Sequence, residues 1–375
     1  MNPLSKLIIE KINKDGPITF EKFMEMALYY PELGYYSNPA VAIGRQGDFY
    51  TSPHLHPVFG AMIAKQLIEM WEILGKPSEF HAIEIGAGEG YLSKDILDHL
   101  TGRSHEIVNS LKYAIIEPFE HFEKKQRELL AEHEERVTWF QSLKNISAQI
   151  NGCIFSNELP DAFPVHIVEM DNDLKEVFLI YDEGGFVEIK QDAKTDGLID
   201  YIGQFASRFP QGYRTEINLR IREWLHEIAS ILSNGFLMTI DYGYTAKEYY
   251  NEERNRGTLL CYHDHQINEN PYEHVGEQDI TAHVNFSSVK KWGDEVGLRT
   301  LGYTSQGTYL VASGIDEMIT ELYAGSPDYS AEIKKIKGLI MPEGMGESHM
   351  VMIQYKGEGN PELRGFSLRN HVRKL

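Results

Sequence analysis

The chain alternates between two hydrophobic periods. Short, nearly unbroken apolar runs at 80–85, 112–116, 137–140, 152–156 and 236–240 read as strands. Between and around them lie longer stretches, 57–74, 91–100, 120–135 and 217–232, whose apolar residues recur at helical spacing. Upstream, apolar residues at positions 4, 7, 8 and 12 predict a short amphipathic helix stopped by Asp15, Gly16 and Pro17, and a second helix is predicted over 20–28. Downstream, a helix over 287–296 precedes strands at 299–303 and 350–355, with helical segments at 316–323 and 330–339 between them. Strands that alternate with helices predict an α/β fold with a mostly parallel sheet.

Several stretches interrupt that alternation. After the fourth strand, segments 165–170, 176–181 and 186–189 are short, β-branched or aromatic, and separated by Asp171-Asn172-Asp173 and Glu183-Gly184-Gly185. They predict an inserted antiparallel β-meander. From 249 to 286 the periodicity fades into a long polar loop carrying aromatic rings, a kind of segment that is usually functional. Tyr29, Tyr30, Tyr35 and Tyr36 surround Pro31 and Gly34, as in a rigid packed turn, whereas 44–53 is too rich in glycine and polar groups for a core element and reads as a loop able to close over a ligand. Asn234-Gly235 is expected to close the helix over 217–232 as a C-cap. The expected organisation is an N-terminal helical cap and lid loop over 1–60, followed by a main domain over 61–375 with insertions at about 164–215 and 245–286.

Composition narrows the function classes. At 375 residues, with 42% hydrophobic and 11% aromatic content, the chain can bury a large core and is globular rather than disordered. A formal charge of −20 argues against a nucleic-acid partner, because phosphate binding draws on Lys and Arg. Cys153 and Cys261 have no CxxC spacing, so neither a disulfide framework nor a zinc site follows, and a reducing compartment fits better. No run approaches the roughly 20 apolar residues of a membrane span. Residues 1–14 lack both a signal-peptide core and the Arg-rich make-up of a transit peptide, so a cytoplasmic location is expected.

The chemistry concentrates where the first strand ends. Glu84-Ile85-Gly86-Ala87-Gly88-Glu89-Gly90 opens a helix, which leaves bare peptide at a helix N-terminus for a ligand to lie against. A dinucleotide fingerprint needs G-x-G-x-x-G, but here the third glycine comes one residue early and Tyr91 stands in its place. The pattern E-x-G-x-G-x-G resembles motif I of the class I S-adenosylmethionine (SAM) methyltransferases, and the Glu84 carboxylate suits a ligand with a sulfonium and an ammonium. The second strand runs into Glu117, at the position where Rossmann-like folds hold ribose hydroxyls. Ser142 and Leu143, past the third strand, are where this class of fold touches adenine. Candidate cofactor residues are therefore Glu84, Gly86, Ala87, Gly88, Gly90, Glu117, Ser142, Leu143 and Asn157, with Thr51 and Ser52 from the lid loop.

Four further stretches carry a wider resemblance: 30–36 (YPELGYY), 47–53 (GDFYTSP), 157–162 (NELPDA) and 276–286 (GEQDITAHVNF). With the glycine turn they make the chain, from about residue 17 to about 300, resemble the MidA family of SAM-dependent methyltransferases. The resemblance implies a class I methyltransferase fold, a seven-stranded, mostly parallel Rossmann-like sheet, with SAM as methyl donor. For mitochondrial members it implies symmetric dimethylation of an arginine in a subunit of respiratory complex I during assembly; for bacterial-looking members it fixes no substrate. The chain departs from the family where His54, rather than an acidic residue, follows Thr51-Ser52-Pro53.

Methyl transfer from SAM is an in-line displacement that needs alignment and a suitable charge environment, not a covalent nucleophile. If the acceptor is a guanidinium, carboxylates should hold it by paired hydrogen bonds. Glu158 and Asp161, just beyond the fourth strand, are the first candidates for that role, joined by Asp48 in the lid loop; an N-cap is the alternative for Asp161. His263 and His265 lack a third ligand at a forcing spacing, so they read as hydrogen-bonding loop histidines rather than a metal site, and His265 is a candidate proton acceptor. Three readings stay open: a protein arginine methyltransferase, acting on a respiratory complex subunit or another partner protein, a small-molecule O- or N-methyltransferase, and an assembly factor that binds SAM with little catalysis. The inserts favour a large acceptor. The oligomeric state is not fixed by the sequence.

Overall fold

The computed structural model describes residues 2–40, 52–102, 106–206, 209–264, 266–325, 327 and 329–375. The chain clusters into two compact units, one comprising Tyr50–Leu159, Trp224–Gly243 and Val289–Leu375, the other Met1–Phe49, Pro160–Glu223 and Tyr244–Ser288.

The first unit is built on the strands β1 (Phe80–Ile85), β2 (Leu111–Ile116), β3 (Val137–Phe140), β4 (Ile150–Asn157), β5 (Leu232–Tyr244), β6 (Arg299–Ser305) and β7 (His349–Lys356). They lie in the order β6-β7-β5-β4-β1-β2-β3. The pairings from β5 through β3 are parallel, while β7 runs antiparallel to both β5 and β6. Crossovers between parallel strands carry helices onto the sheet faces, so the inner strands must be apolar on both sides. Phe80, Ala82, Ile83, Tyr113, Ile115, Ile154 and Phe155 are accordingly buried. Helices Val58–Ile73 and Tyr91–Gly102 contribute Phe59, Met62, Leu67, Ile96, Leu97 and Leu100 to the same core, each worth about 1.5–3 kcal/mol of transfer free energy. The chain moves outward from β1 to β3 and then returns to the other side of β1 as β4. That reversal makes the carboxyl ends of β1, β2 and β4 the expected place for a ligand.

Two local expectations are corrected. The helix Arg220–Ile231 passes straight into β5, so Asn234 and Gly235 are strand residues rather than a C-cap. Gly235 is opposite Gly152 on β4, and a Cβ added to it would come within 2.0 Å of the Gly152 carbonyl oxygen. The glycine serves the close approach of two strands. Over 120–135 the α-helix covers only Glu120–Leu129, and a 3-10 segment, Ala131–Arg136, completes the stretch. Helix Gln306–Ala312 was not expected, because Gly307 and Thr308 obscure its pattern.

The second unit holds the antiparallel meander, His166–Asp171, Asp173–Asp182 and Gly185–Asp192, extended by Arg214–Ile217 on one side and by the short N-terminal strand Ile18–Thr19. Within 249–286 a small sheet forms from Gln266–Asn268, Leu260–His263 and Asp279–Thr281. This segment lines a cavity of about 610 Å³ together with Glu188, Arg214, Tyr244 and neighbouring side chains. In the tyrosine turn, the Tyr29 hydroxyl donates to the Ala162 carbonyl at 2.8 Å and the Tyr36 hydroxyl to Asp279 Oδ1 at 2.9 Å. Their rings stack 5.6 Å apart.

Candidate functional site

At the carboxyl end of β1 the backbone passes through Gly86, Gly88 and Gly90 with φ of +71°, +55° and +92°, a region that side chains disfavour. The three differ in what a side chain would meet. A Cβ at Gly86 would lie 3.0 Å from Leu159 Cδ1 and one at Gly90 3.3 Å from Gln126 Cγ, whereas one at Gly88 would have nothing within 4 Å among the described residues. Among the described residues nothing covers the Gly88 backbone, which stands just ahead of the N-terminus of helix Tyr91–Gly102. This is a cradle for a polar or anionic group. Ala87 shares the turn, and its carbonyl accepts the Gly90 N–H at 2.9 Å.

Glu84, on β1, is 2% exposed. Its Oε2 accepts hydroxyl hydrogens from Ser93 at 2.5 Å and Tyr113 at 2.6 Å. Burial raises its pKa, and these two donors oppose the shift. Its observed partners are thus on the helix and strand beside it, which fixes the turn from beneath.

Glu117 closes β2. The Phe119 N–H donates to its Oε1 at 3.1 Å and the Gln126 side-chain amide to its Oε2 at 2.9 Å. Burial pushes its carboxyl up to about 7, against the pull of those neutral donors. The Glu117 N–H donates to the Phe140 carbonyl at 2.8 Å, which keeps the segment after β3 close by. In that segment Ser142 caps a short 3-10 turn by accepting the Lys144 N–H at 3.0 Å, and Leu143 is buried. Glu117→Ala is expected to weaken cofactor binding by about 1–3 kcal/mol in titration calorimetry, the cost of removing a buried acceptor from ligand hydroxyls. A lower melting temperature with unchanged affinity would make Glu117 purely structural.

β4 ends at Asn157, whose Oδ1 is buried without a hydrogen-bond partner among the described residues and whose Nδ2 donates to Glu158 Oε1 at 3.1 Å. Glu158 sits at φ +51°, unusual for a residue with a side chain, and its N–H donates to the Ile240 carbonyl of β5 at 2.8 Å. His349, the first residue of β7, brings Nε2 to 3.5 Å from Glu158 Oε1, within ion-pair range but not a hydrogen bond. The His349 ring meets Tyr242 edge-on at 5.5 Å.

The structure thus brings Glu84, the glycine turn, Glu117, Ser142, Leu143, Asn157 and Glu158 to the carboxyl edge of one sheet. Asp161 belongs to the other unit, where it is 4% exposed on the 3-10 turn Pro160–Ala162 and its carbonyl accepts the Ala282 N–H at 3.0 Å. Ser52 is buried, with its hydroxyl donating to Gln306 Oε1 at 3.1 Å. His54, the departure from the family pattern, packs edge-on against Tyr91 at 5.2 Å. His263 stacks on His274 at 4.0 Å. Asp48, Thr51 and His265 lie outside the described residues. Sequence reasoning missed Gln126, Trp139 and His349. The available signal for Gln126 was its position four residues after Phe122, on the buried face of an otherwise charged helix.

Among the described residues, the uncovered backbone at Gly88, a carboxylate acceptor at Glu117 and an amide oxygen without a partner at Asn157 fit a ligand carrying both ribose hydroxyls and an amino acid. Comparisons with known proteins agree. Residues 62–304 match the Methyltransf_28 model, which describes an S-adenosyl-L-methionine-dependent methyltransferase. The mitochondrial protein arginine methyltransferase NDUFAF7 homolog of Drosophila melanogaster is 25% identical, covering 94% of this chain and 85% of its own. The Danio rerio NDUFAF7 is 27% identical, over 91% and 84%. A COG1565 superfamily member from Burkholderia thailandensis, crystallised with S-adenosyl-homocysteine, superposes with a TM-score of 0.89 at 28% identity, covering 99% of this chain and 96% of its own. The chain belongs to the Methyltransf_28 family and is a SAM-dependent methyltransferase of the MidA type.

Proposed function

We propose that the methyl acceptor is an arginine side chain of a partner protein. The observation that carries this reading is the similarity, along nine-tenths of the chain, to proteins named as protein arginine methyltransferases. The chemistry at the end of β4 supports it. SAM supplies an electrophilic methyl group on a sulfonium. What the protein must add is a carboxylate that pairs with the guanidinium, orients one nitrogen and takes up the proton it loses. Glu158 is assigned that part, with Asn157 donating to its carboxylate and His349 Nε2 within ion-pair range of it, and Asp161, Asp48 and His265 are kept as further candidates to be tested by substitution. Thr51 and Ser52 remain proposed cofactor contacts. Two buried thiols, Cys153 and Cys261, accord with action in the reducing cytoplasm. Among the described residues no helix is long and apolar enough to cross a membrane.

The test is to incubate the protein with methyl-labelled SAM and extract from a strain deleted for it, then identify the labelled species by mass spectrometry. Label on arginine in a polypeptide is expected. Label confined to small molecules would replace this reading with a small-molecule O- or N-methyltransferase. Titration calorimetry should give heat with SAM and none with NAD, because the third glycine comes one residue early and Tyr91 stands where a dinucleotide fingerprint needs glycine. The reverse would overturn the cofactor assignment as well.

A further inference from the structure

We propose that Gln126 is a positioning residue of the cofactor site, which ties the Glu117 carboxylate to the Gly88 carbonyl so that the ribose-binding acid and the glycine turn hold each other in register. The proposal rests on the reading of Glu117 as the ribose acceptor, and the experiment below separates the two.

Chemistry fixes the orientation of the Gln126 amide. Trp139 Nε1 can only donate, and it lies 3.0 Å from Gln126 Oε1, so that atom is the amide oxygen. The NH2 group is then the one that lies 2.7 Å from the Gly88 carbonyl oxygen and 2.9 Å from Glu117 Oε2. Both amide hydrogens are committed, one to the loop after β1 and the other to the residue that ends β2. Gln126 is fully buried, so water does not replace these bonds. Trp139 is held in turn by the Arg127 guanidinium, 4.1 Å from its ring centroid. The frame therefore runs from β3 through the helix Glu120–Leu129 to both halves of the site.

The count of acceptor positions shows what the frame is for. Each carboxylate oxygen of Glu117 can accept two hydrogen bonds, and among the described residues each has one protein donor, Phe119 N–H on Oε1 and the Gln126 amide on Oε2. One position remains on each oxygen, which matches a pair of adjacent ribose hydroxyls. Gln126 thus leaves the carboxylate aimed and half filled, at a set offset from the bare backbone of Gly88.

The arrangement also has a pH signature. The Glu117 carboxyl is pushed up to about 7 by burial; the Phe119 and Gln126 donors counter that shift, and the negative charge of Glu123, itself paired with Arg127, adds to it. Ligand hydroxyls donate to the ionised form, so cofactor affinity should rise with pH through this titration and level off above it. The free protein behaves in the opposite sense. A carboxyl raised from 4.5 makes ionisation costly to the fold, so its contribution to stability is lost as pH climbs towards about 7. Further titratable groups stand on the same helix, His121 and Lys125 among them. His121, its pKa lowered by burial, packs at a tilt against Phe119 and Phe122, and Lys125 pairs with Glu89 at 2.9 Å. The Glu117 variant controls for both.

The experiment measures the affinity of the full chain for S-adenosyl-homocysteine by titration calorimetry between pH 6 and 9. In the wild type, affinity should fall by up to about tenfold per pH unit below a midpoint near neutrality. Gln126→Met keeps the volume and removes the donor. It should move the midpoint up by about a unit, bind about fivefold more weakly at pH 7, and return to within a few-fold of wild type at pH 9. A pH-independent loss in this variant, which mere packing would give, overturns the proposal, as does a wild-type profile. Glu117→Gln should bind weakly with a flat profile, and wild-type affinity there would refute the ribose reading instead. Trp139→Phe frees the amide to turn and should shift the midpoint in the same direction by less. If Gln126→Met does not fold, an unshifted profile in Trp139→Phe overturns the proposal.

Discussion

Gly88→Val is expected to abolish cofactor binding while the protein still folds. The backbone there is left-handed, at φ +55°, and a β-branched residue in that conformation costs roughly 1–2 kcal/mol. A strain of that size lowers the melting temperature by a few degrees in a domain this large. The effect on binding should be far greater. Among the described residues no atom lies within 4 Å of a Cβ added at Gly88, and that space lies over the backbone assigned to the cofactor. Two γ-methyl groups would fill it. Calorimetry with S-adenosyl-homocysteine should show an affinity loss of at least about 100-fold, close to 3 kcal/mol. Gly86→Ala is the useful contrast, since its Cβ meets Leu159 at 3.0 Å and so disturbs packing first. If Gly88→Val binds with unchanged affinity, the turn is structural and the cofactor lies elsewhere.

The strands of the main sheet were legible because parallel strands covered on both faces must be apolar throughout, and a glycine or a polar side chain marks where each one stops. Gly86 stands directly after β1, Glu117 directly after β2, and Asn157 ends β4. A strand end is also where ligands bind in such sheets, so the same pattern located the candidate cofactor residues. Periodicity could not indicate which polar residues turn inward. Gln126 lies in a helix whose other residues are mostly charged, and it reads as part of a solvated face until Trp139, Gly88 and Glu117 are seen around it. His349 stands one residue before the expected start of its strand, and only the antiparallel register of β7 with β5 sets it opposite Tyr242.

Long-range pairing was the second limit. Ile18 and Thr19 pair with Leu179 and Phe178, and Arg220 forms ion pairs with Glu21 and Glu25, joining segments far apart in the chain. Local pattern carries no information about such partners. That the N-terminal helices, the meander and residues 244–288 gather into one unit is therefore a property of tertiary contacts. The register of the meander was more accessible, since turn residues such as Glu183 and Gly184, both at positive φ, fix where one strand reverses into the next.

Glu158→Gln should leave affinity for S-adenosyl-homocysteine within about twofold of wild type and lower turnover on the true acceptor by two or more orders of magnitude. The substitution is nearly isosteric. A glutamine Oε1 can still accept the Asn157 Nδ2–H, now 3.1 Å from the carboxylate, and the strained backbone at φ +51° is unchanged, so the fold has little reason to respond. What is lost is charge. A neutral amide neither pairs with a guanidinium nor accepts the proton that leaves its nitrogen as the methyl group arrives. The pH dependence separates the acceptor classes. A hydroxyl acceptor ionises by itself as pH rises, so an O-methyltransferase carrying this substitution should recover activity in alkaline buffer. A guanidinium stays protonated across the accessible range, so the defect on an arginine peptide should persist at every pH. Replacing the target arginine by lysine gives the complementary control from the substrate side. A planar fork is matched by a carboxylate in two hydrogen bonds and an ammonium is not, so equal methylation of the lysine peptide would rule out the guanidinium clamp.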